Sequence, residues 1–141
     1  MGAVLAGSTR FIQEAVRVRL LLGGGWRPTG ILAAPGIIAL EMMVGRLIED
    51  HINARILAEE IAKCGGFSVD LRTVQTNIIN VTIVNSRLSS EQVVERLKKN
   101  NVLANATGPK KLRLVLHLEI RGGEVARVAD AFKKVMEDGE S

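Results

Sequence analysis

The chain has 141 residues, of which 47% are hydrophobic and 24% are charged, and its formal net charge is +4. A chain of this size and composition can bury a core of ordinary extent, which excludes a disordered, highly charged polypeptide. The single cysteine, Cys64, excludes an internal disulfide framework and a paired-cysteine metal site. The only two histidines, His51 and His117, are far apart, so we predict no metal site.

Composition also limits the compartment and the partners. The first residues lack the pattern of a signal peptide, and the longest uncharged stretch, Pro28–Leu40, is shorter than the ~20 residues that span a bilayer. We expect a cytoplasmic protein with a reduced thiol and no membrane partner. Residues 71–121 are basic, but aromatic residues are only 3% and the lysines lie beside predicted turns. We therefore predict that the chain does not bind nucleic acid.

The amino-terminal residues predict a strand, a helix and a glycine loop. Gly2–Gly7 is a short apolar run and reads as a buried strand. Ser8 or Thr9 can cap a helix from about Thr9 to Leu22. Three consecutive glycines, Gly23–Gly25, then end that helix and begin a loop.

A long helix is predicted after this loop. It restarts near Thr29 or Gly36 and ends at Cys64 with the two glycines that follow. Its apolar residues recur at three- and four-residue spacing, which predicts one buried face. These residues are Ile37, Leu40, Val44, Leu47, His51, Ala54, Leu57 and Ile61.

The second half of the chain alternates strands with helices. Ser89 and Gln92 form a capping-box pattern that opens a helix ending near Asn100, and a last helix runs from about Gly123 to Glu137. Runs of β-branched and aliphatic residues predict four strands. These are Phe67–Val69, Asn77–Val84, Val102–Ala106 and Leu112–Leu118.

Two blocks follow from this order of elements. Residues 1–35 hold a strand without a neighbouring partner, a helix and the glycine loop, and they look like the edge of something larger. Residues 36–141 form an αββαββα unit, which predicts an α/β fold with a short mixed or antiparallel sheet covered by helices.

Two arginines are the main candidates for ligand binding. Arg27 follows Gly23, Gly24 and Gly25, whose backbone N–H groups together with a guanidinium suit an anion; an exposed loop arginine explains the same pattern equally well. Arg113 interrupts the apolar strand, where it either faces solvent or binds a carboxylate through two hydrogen bonds. From these residues alone solvent exposure is favoured for Arg113. Cys64 and His51 are interpreted as structural.

The order of these signals resembles a known family. The run LLGGGWRPTGILAAPGIIALE with DHINARILAE, followed by VQTNIIN, NVLANATG and LRLVLHLEI, is similar to the carboxyl-terminal part of low-specificity L-threonine aldolases. The resemblance implies fold type I of the pyridoxal-phosphate enzymes, with residues 36–141 as the small carboxyl-terminal domain and residues 1–35 as a remnant of the large cofactor domain. It also implies cleavage of β-hydroxy-α-amino acids to glycine and an aldehyde, with the cofactor as electron sink.

The resemblance assigns roles to particular residues. Arg113 matches the residue that holds the substrate α-carboxylate, and Arg27 with Gly23, Gly24 and Gly25 matches a loop near the cofactor, although Trp26 and Pro28 depart from the family's usual residues. His117 matches a histidine of the same strand. The family's cofactor lysine lies just before the segment that matches Gly2–Ser8, and none of the seven lysines here corresponds to it. The resemblance therefore implies no catalytic residue in this chain and no activity by itself.

Three hypotheses remain from the sequence. In the first, a second chain carrying the large domain, or further copies of this chain, completes an enzyme that acts on a β-hydroxy amino acid. In the second, the chain is a non-catalytic oligomerisation or interaction domain. In the third, it is a truncated gene product.

Overall fold

A computed structural model describes residues 4–85 and 87–137 of the chain. These residues separate into two compact units, with the division between Gly45 and Arg46. The sequence placed a boundary earlier, after residue 35. Each unit is described by itself.

The first unit contains two helices. Helix α1 spans Thr9–Leu21 and begins at Ser8, whose hydroxyl accepts a hydrogen bond from the N–H of Phe11 at 3.3 Å. This confirms the predicted capped helix. Helix α2 spans Gly30–Ile38 and continues as a π-helical segment over Ala39–Met43. No residue of α1 or α2 is buried.

The strand predicted for Gly2–Gly7 is wrong over the part that can be tested. Residues 4–7 have no regular structure, and Val4 is 73% exposed. Residues 1–3 of this prediction lie outside the described residues. A strand needs a neighbour for its N–H and C=O groups, and none of the described strands pairs with this segment.

The single long helix is also wrong. The helical run stops at Met43, residues 44–46 form a turn, and α3 starts again as Leu47–Lys63. Gly45 lies within this turn, and glycine is a poor helix former because it loses the most backbone freedom. The predicted apolar face is buried only over its second part, where Ala54, Leu57 and Ile61 are at most 2% exposed.

The second unit is an antiparallel sheet with three helices, which confirms the α/β fold. The strands are β1 (Phe67–Ser68), β2 (Ile78–Ile83), β3 (Asn105–Gly108) and β4 (Lys111–Val115), in the order β1-β2-β4-β3. A short 3₁₀ helix, Leu71–Thr73, precedes β2. The helices are α3, α4 (Ser90–Lys99) and α5 (Gly122–Glu137). The Ser89–Gln92 capping box opens α4 as predicted.

The bounds of all four strands differ from the prediction, most at the start of β3 and at the end of β4. Val102 lies before β3 because its N–H completes the end of α4 by bonding to the carbonyl of Leu97 at 2.9 Å. Strand β4 ends at Val115 rather than Leu118, since the chain turns where the N–H of Ile120 bonds to the carbonyl of His117 at 2.8 Å.

The core lies on one face of the sheet. Alternate strand residues are buried there, among them Ile79, Val81 and Leu112, and they join one apolar cluster with residues of α3, α4 and α5. The rings of Phe67 and Phe132 meet edge to face with centroids 4.9 Å apart. The other face of the sheet is exposed.

No single helix of the described residues is long and apolar enough to cross a bilayer. The segments Gly30–Met43 and Leu47–Lys63 meet the length and hydropathy of a span only when they are counted together across the break between them.

The position of Phe132 in the core predicts how much stability is lost when its ring is removed. We expect Phe132→Ala to lower the free energy of unfolding by about 3–5 kcal/mol, because it leaves a cavity beneath the sheet and removes the contact with Phe67. Urea unfolding followed by far-ultraviolet circular dichroism measures this change. Val84→Ala, at a 59% exposed position, is the control and should change the value by at most about 0.5 kcal/mol. Equal effects of the two variants would contradict the assignment of the core.

Candidate functional site

Arg113 lies at the centre of the exposed sheet face. Its neighbours Leu112 and Leu114 are buried, and since side chains alternate along a strand, Arg113 must point to the opposite face. Strand β4 has a neighbour on each side, so Arg113 is on an inner strand rather than an edge strand. A guanidinium is thus presented on a rigid element, and the Arg113 side chain is exposed.

Two asparagines face Arg113 across the neighbouring strands. Asn80 of β2 and Asn105 of β3 are both direct cross-strand partners of Arg113. Directly opposed side chains in antiparallel strands have Cβ atoms about 4.5–5.5 Å apart. The three residues therefore form a row of amide, guanidinium and amide groups. This row was not predictable from the sequence because it depends on strand register; the only local signal was an asparagine inside each predicted strand.

Arg113 has no acidic partner among the described residues. None of the residues in β1, β2, β3 and β4 is acidic, and no ion pair joins Arg113 to another residue in the described part of the chain. The nearest basic neighbour on the same face of β4 is Lys111. The row can accept a carboxylate, which matches the planar fork of an arginine and can also accept hydrogen bonds from amide N–H groups.

His117 is not part of this row. It was predicted to share the face of a strand with Arg113, but β4 ends two residues before it, and His117 is exposed in the turn that follows. The shared face of Arg113 and His117 therefore stays a prediction.

The glycine loop has its own structural explanation. Gly23 has a φ of +79° and the N–H of Gly24 bonds to the carbonyl of Arg19 at 2.7 Å, so both complete the end of α1. A methyl group on Gly24 would come within 2.5 Å of Cγ of Arg19. This leaves Gly25 and Arg27 as the residues of the loop that can donate hydrogen bonds to an anion. Their role at a cofactor stays a prediction.

Trp26 and Arg27 are both exposed in this loop. Trp26 is 52% exposed, and no ion pair holds Arg27 to any other described residue of the chain. The loop belongs to the first unit, whereas Arg113 belongs to the second.

The lysines are poor candidates for a covalent cofactor link. A nucleophilic lysine needs a lowered pKa, whereas side-chain hydrogen bonds to Glu60 and Asp130 raise the pKa of Lys63 and Lys133, respectively. Lys99 pairs with Glu95 at 3.8 Å. The Nζ of Lys110 donates to the carbonyls of Asn85 and Leu88. The other three lysines, Lys98, Lys111 and Lys134, are exposed.

Cys64 is a structural thiol. It is 7% exposed at the end of α3, where its Sγ donates a hydrogen bond to the carbonyl of Glu60 at 3.4 Å. Burial raises the pKa of the Cys64 thiol, so the reactive thiolate is disfavoured at neutral pH. Among the described residues, no group of three or more His, Cys, Asp and Glu could hold a metal ion.

Comparison with known sequences identifies the family. The sequence model for "Beta-eliminating lyase" matches residues 1–84. The chain belongs to the beta-eliminating lyase family.

Several named proteins are similar to this chain over nearly its whole length. The chain is 34% identical to low-specificity L-threonine aldolase 1 of Arabidopsis thaliana over 137 residues, which are 96% of this chain and 38% of that protein. It is 39% identical to the low specificity L-threonine aldolase of Escherichia coli K12 over 129 residues, 92% of this chain and 37% of that protein. It is 26% identical to the alanine racemase TOXG of Cochliobolus carbonum over 144 residues, 96% of this chain and 35% of that protein.

These comparisons confirm the resemblance seen in the sequence. The chain spans less than two-fifths of the length of these relatives, 38% for the Arabidopsis protein. The relatives at 34% and 39% identity are both named low-specificity L-threonine aldolases.

The buried thiol predicts slow alkylation. We expect iodoacetamide to react with Cys64 at least about tenfold more slowly in the folded chain than in urea near pH 8, because folding withholds the thiolate. The double variant Cys64→Ser, Ser68→Cys is the control, since residue 68 is exposed and its thiol should react at the rate of an unfolded chain. Mass spectrometry of timed samples measures both rates.

The raised pKa of the Cys64 thiol also makes the free energy of unfolding depend on pH. The folded chain holds the thiol proton more tightly than the unfolded chain does, so this contribution to stability is present below the ordinary thiol pKa and is lost as pH rises through the raised value. Equal alkylation rates for the folded and unfolded chains would contradict the predicted slow alkylation. A free energy of unfolding that does not fall as pH rises through the raised thiol pKa would contradict this pH dependence.

Proposed function

We propose that this chain forms the carboxyl-terminal part of a pyridoxal-phosphate-dependent lyase that cleaves β-hydroxy-α-amino acids to glycine and an aldehyde. The observation that carries the proposal is Arg113, an exposed guanidinium fixed on an inner strand, flanked by two amides and without an acidic partner on the sheet. The named threonine aldolases that align over more than nine-tenths of the chain supply the reaction class.

In this proposal Arg113 binds the substrate's α-carboxylate through two parallel hydrogen bonds. The antiparallel pairing of β4 on both sides fixes the backbone of Arg113, so less freedom is lost when the carboxylate binds. Asn80 and Asn105 provide further hydrogen-bonding groups on either side of the guanidinium. The three residues together orient the amino acid.

The residues present fit part of a cofactor site. Gly25 and Arg27 supply an N–H donor and a guanidinium that suit the cofactor's phosphate, in a loop where Gly23 and Gly24 are needed to end α1. Bound pyridoxal phosphate would supply an electron sink for the carbanion formed at the amino acid's α-carbon. None of the seven lysines of this chain matches the family's cofactor lysine, and side-chain hydrogen bonds to Glu60 and Asp130 raise the pKa of Lys63 and Lys133. We propose that the lysine that holds the cofactor comes from outside these 141 residues and that the chain alone is inactive.

A second polypeptide or further copies of this chain would cover the first unit. Helices α1 and α2 bury no residue, and Leu21 and Leu22 are 76% and 81% exposed. Exposed apolar surface of this kind is characteristic of an interaction site. A cytoplasmic location fits the reduced state of Cys64.

The same exposed surface also supports the second hypothesis, a non-catalytic interaction domain. The two functions differ in what association produces. A completed enzyme gains cofactor binding and lyase activity, whereas an interaction domain forms a stable complex without either. A truncated gene product would instead show a weak, non-cooperative melt.

The first test is reconstitution. The chain mixed with pyridoxal phosphate alone should show neither visible absorbance of a protein-bound cofactor nor glycine formation from threonine. Co-expression with the segment encoded upstream of residue 1 should produce both. A stable complex that lacks both properties would favour the interaction domain, and threonine cleavage by the chain alone would contradict the proposal.

The second test replaces Arg113, the residue proposed to bind the substrate's α-carboxylate. In the reconstituted enzyme, Arg113→Ala should lower kcat/KM for threonine by about a hundredfold, because hydrogen bonds between charged groups contribute about 1.5–3 kcal/mol. Arg113→Lys should recover only part of this loss, since lysine keeps the charge but not the fork. Lys111→Ala, on the same exposed face two residues away, is the control. An equal loss in the control would show that the face needs only positive charge.

A further inference from the structure

A cavity of about 310 Å³ opens where two strands stop pairing, and it lies wholly within the second unit. The β3–β4 ladder ends at the pair Asn105 and Arg113, and residues 100–103, which precede β3, line the cavity opposite the end of β4. Apolar side chains from α3, β4, α5 and the segments that follow α4 and β4 form most of the walls. They include Leu57, Val102, Leu114, Leu116, Ile120 and Val128. The volume is at the lower end of the range of about 300–1,000 Å³ typical of small-molecule sites.

The strand edge at this cavity is left without a partner strand. The N–H of Leu116 bonds to the carbonyl of Asn77 at 2.9 Å, so the backbone groups of Leu116 face β2. Hydrogen-bonding directions alternate along a strand, so those of Val115 face the opposite side, where β3 no longer pairs. A ligand in the cavity can therefore meet polar backbone groups beside an apolar wall.

Two opposite charges stand at the cavity. Glu124 and Arg127 both line it and lie three residues apart on α5, which makes them neighbours on the helix surface. No ion pair joins them, and no other residue of the described ranges pairs with Arg127. Glu124 uses Oε2 to accept the N–H of Arg121 at 3.2 Å, which leaves its Oε1 for a ligand.

We propose that this cavity binds a free α-amino acid with an aliphatic side chain. The carboxylate lies on Arg127, the ammonium group on Oε1 of Glu124, and the side chain against Leu57 and the other apolar walls. This site is separate from the proposed role of Arg113 and does not depend on it. The pair of charges selects a zwitterion, because a fatty acid would leave Glu124 unpaired and an amine would leave Arg127 unpaired.

The first experiment uses the full 141-residue chain and L-leucine as the probe. Calorimetric and NMR titrations should show saturable one-to-one binding, with the largest amide shifts at Val115, Leu116 and Val128. The analogues 4-methylpentanoate and 3-methylbutylamine each lack one charge and should bind about ten- to a hundredfold more weakly. An absence of saturable binding at millimolar leucine, or equal binding of the three compounds, would overturn the proposal.

The second experiment uses variants of the two charges. Arg127→Gln and Glu124→Gln should each weaken leucine binding by about tenfold or more. Glu124→Gln keeps a side-chain carbonyl for the N–H of Arg121, so the start of α5 is retained. Unchanged affinity in both variants, with their spectra showing a folded chain, would overturn the proposal.

Arg113→Gln is the matched control, because it also removes an exposed arginine without an ion pair. It should leave leucine binding unchanged while it lowers threonine cleavage in the reconstituted enzyme. Loss of leucine binding in this variant would place the amino acid on the sheet face and overturn the cavity site, but it would leave the proposed function intact. Loss of cleavage without loss of leucine binding supports two separate sites.

Discussion

The antiparallel pairing of β4 with a strand on each side is the constraint on which the second unit depends. Leu112 and Leu114 are held in the core by that pairing, so Arg113 between them has only one direction available. The same register brings Asn80 and Asn105 to either side of it. A shift of one residue would bury the guanidinium and expose the leucines, which the apolar core beneath the sheet strongly disfavours.

Features with local causes were predictable from the sequence. Ser8 and Ser89 cap helices because their hydroxyls accept N–H groups only three residues away, and α5 has its apolar residues on one helical face. The α/β fold and the order of elements after α3 follow from similar short-range patterns. The structural interpretation of Cys64 also required only its position at a helix end before two glycines.

Features that depend on distant residues were not predictable in the same way. The strand at residues 4–7 needs a partner that none of the described residues provides, and the break near Gly45 interrupts a face whose spacing alone looked continuous. The sequence pattern around Arg113 favoured a solvent-exposed side chain. The family resemblance implied that Arg113 binds the substrate's α-carboxylate. The asparagine row required strand register, and the cavity at the end of β4 required knowledge of where pairing stops. Neither is encoded within a short window of sequence.

The chain has one tryptophan and no tyrosine, and Trp26 lies in the glycine loop beside Arg27. Intrinsic fluorescence excited at the indole band therefore comes from the first unit only. A molecule covering the loop would move the half-exposed indole out of water and shift its emission to shorter wavelength. Tryptophan fluorescence thus reports on the surroundings of Arg27, and circular dichroism is needed to follow the unfolding of the second unit.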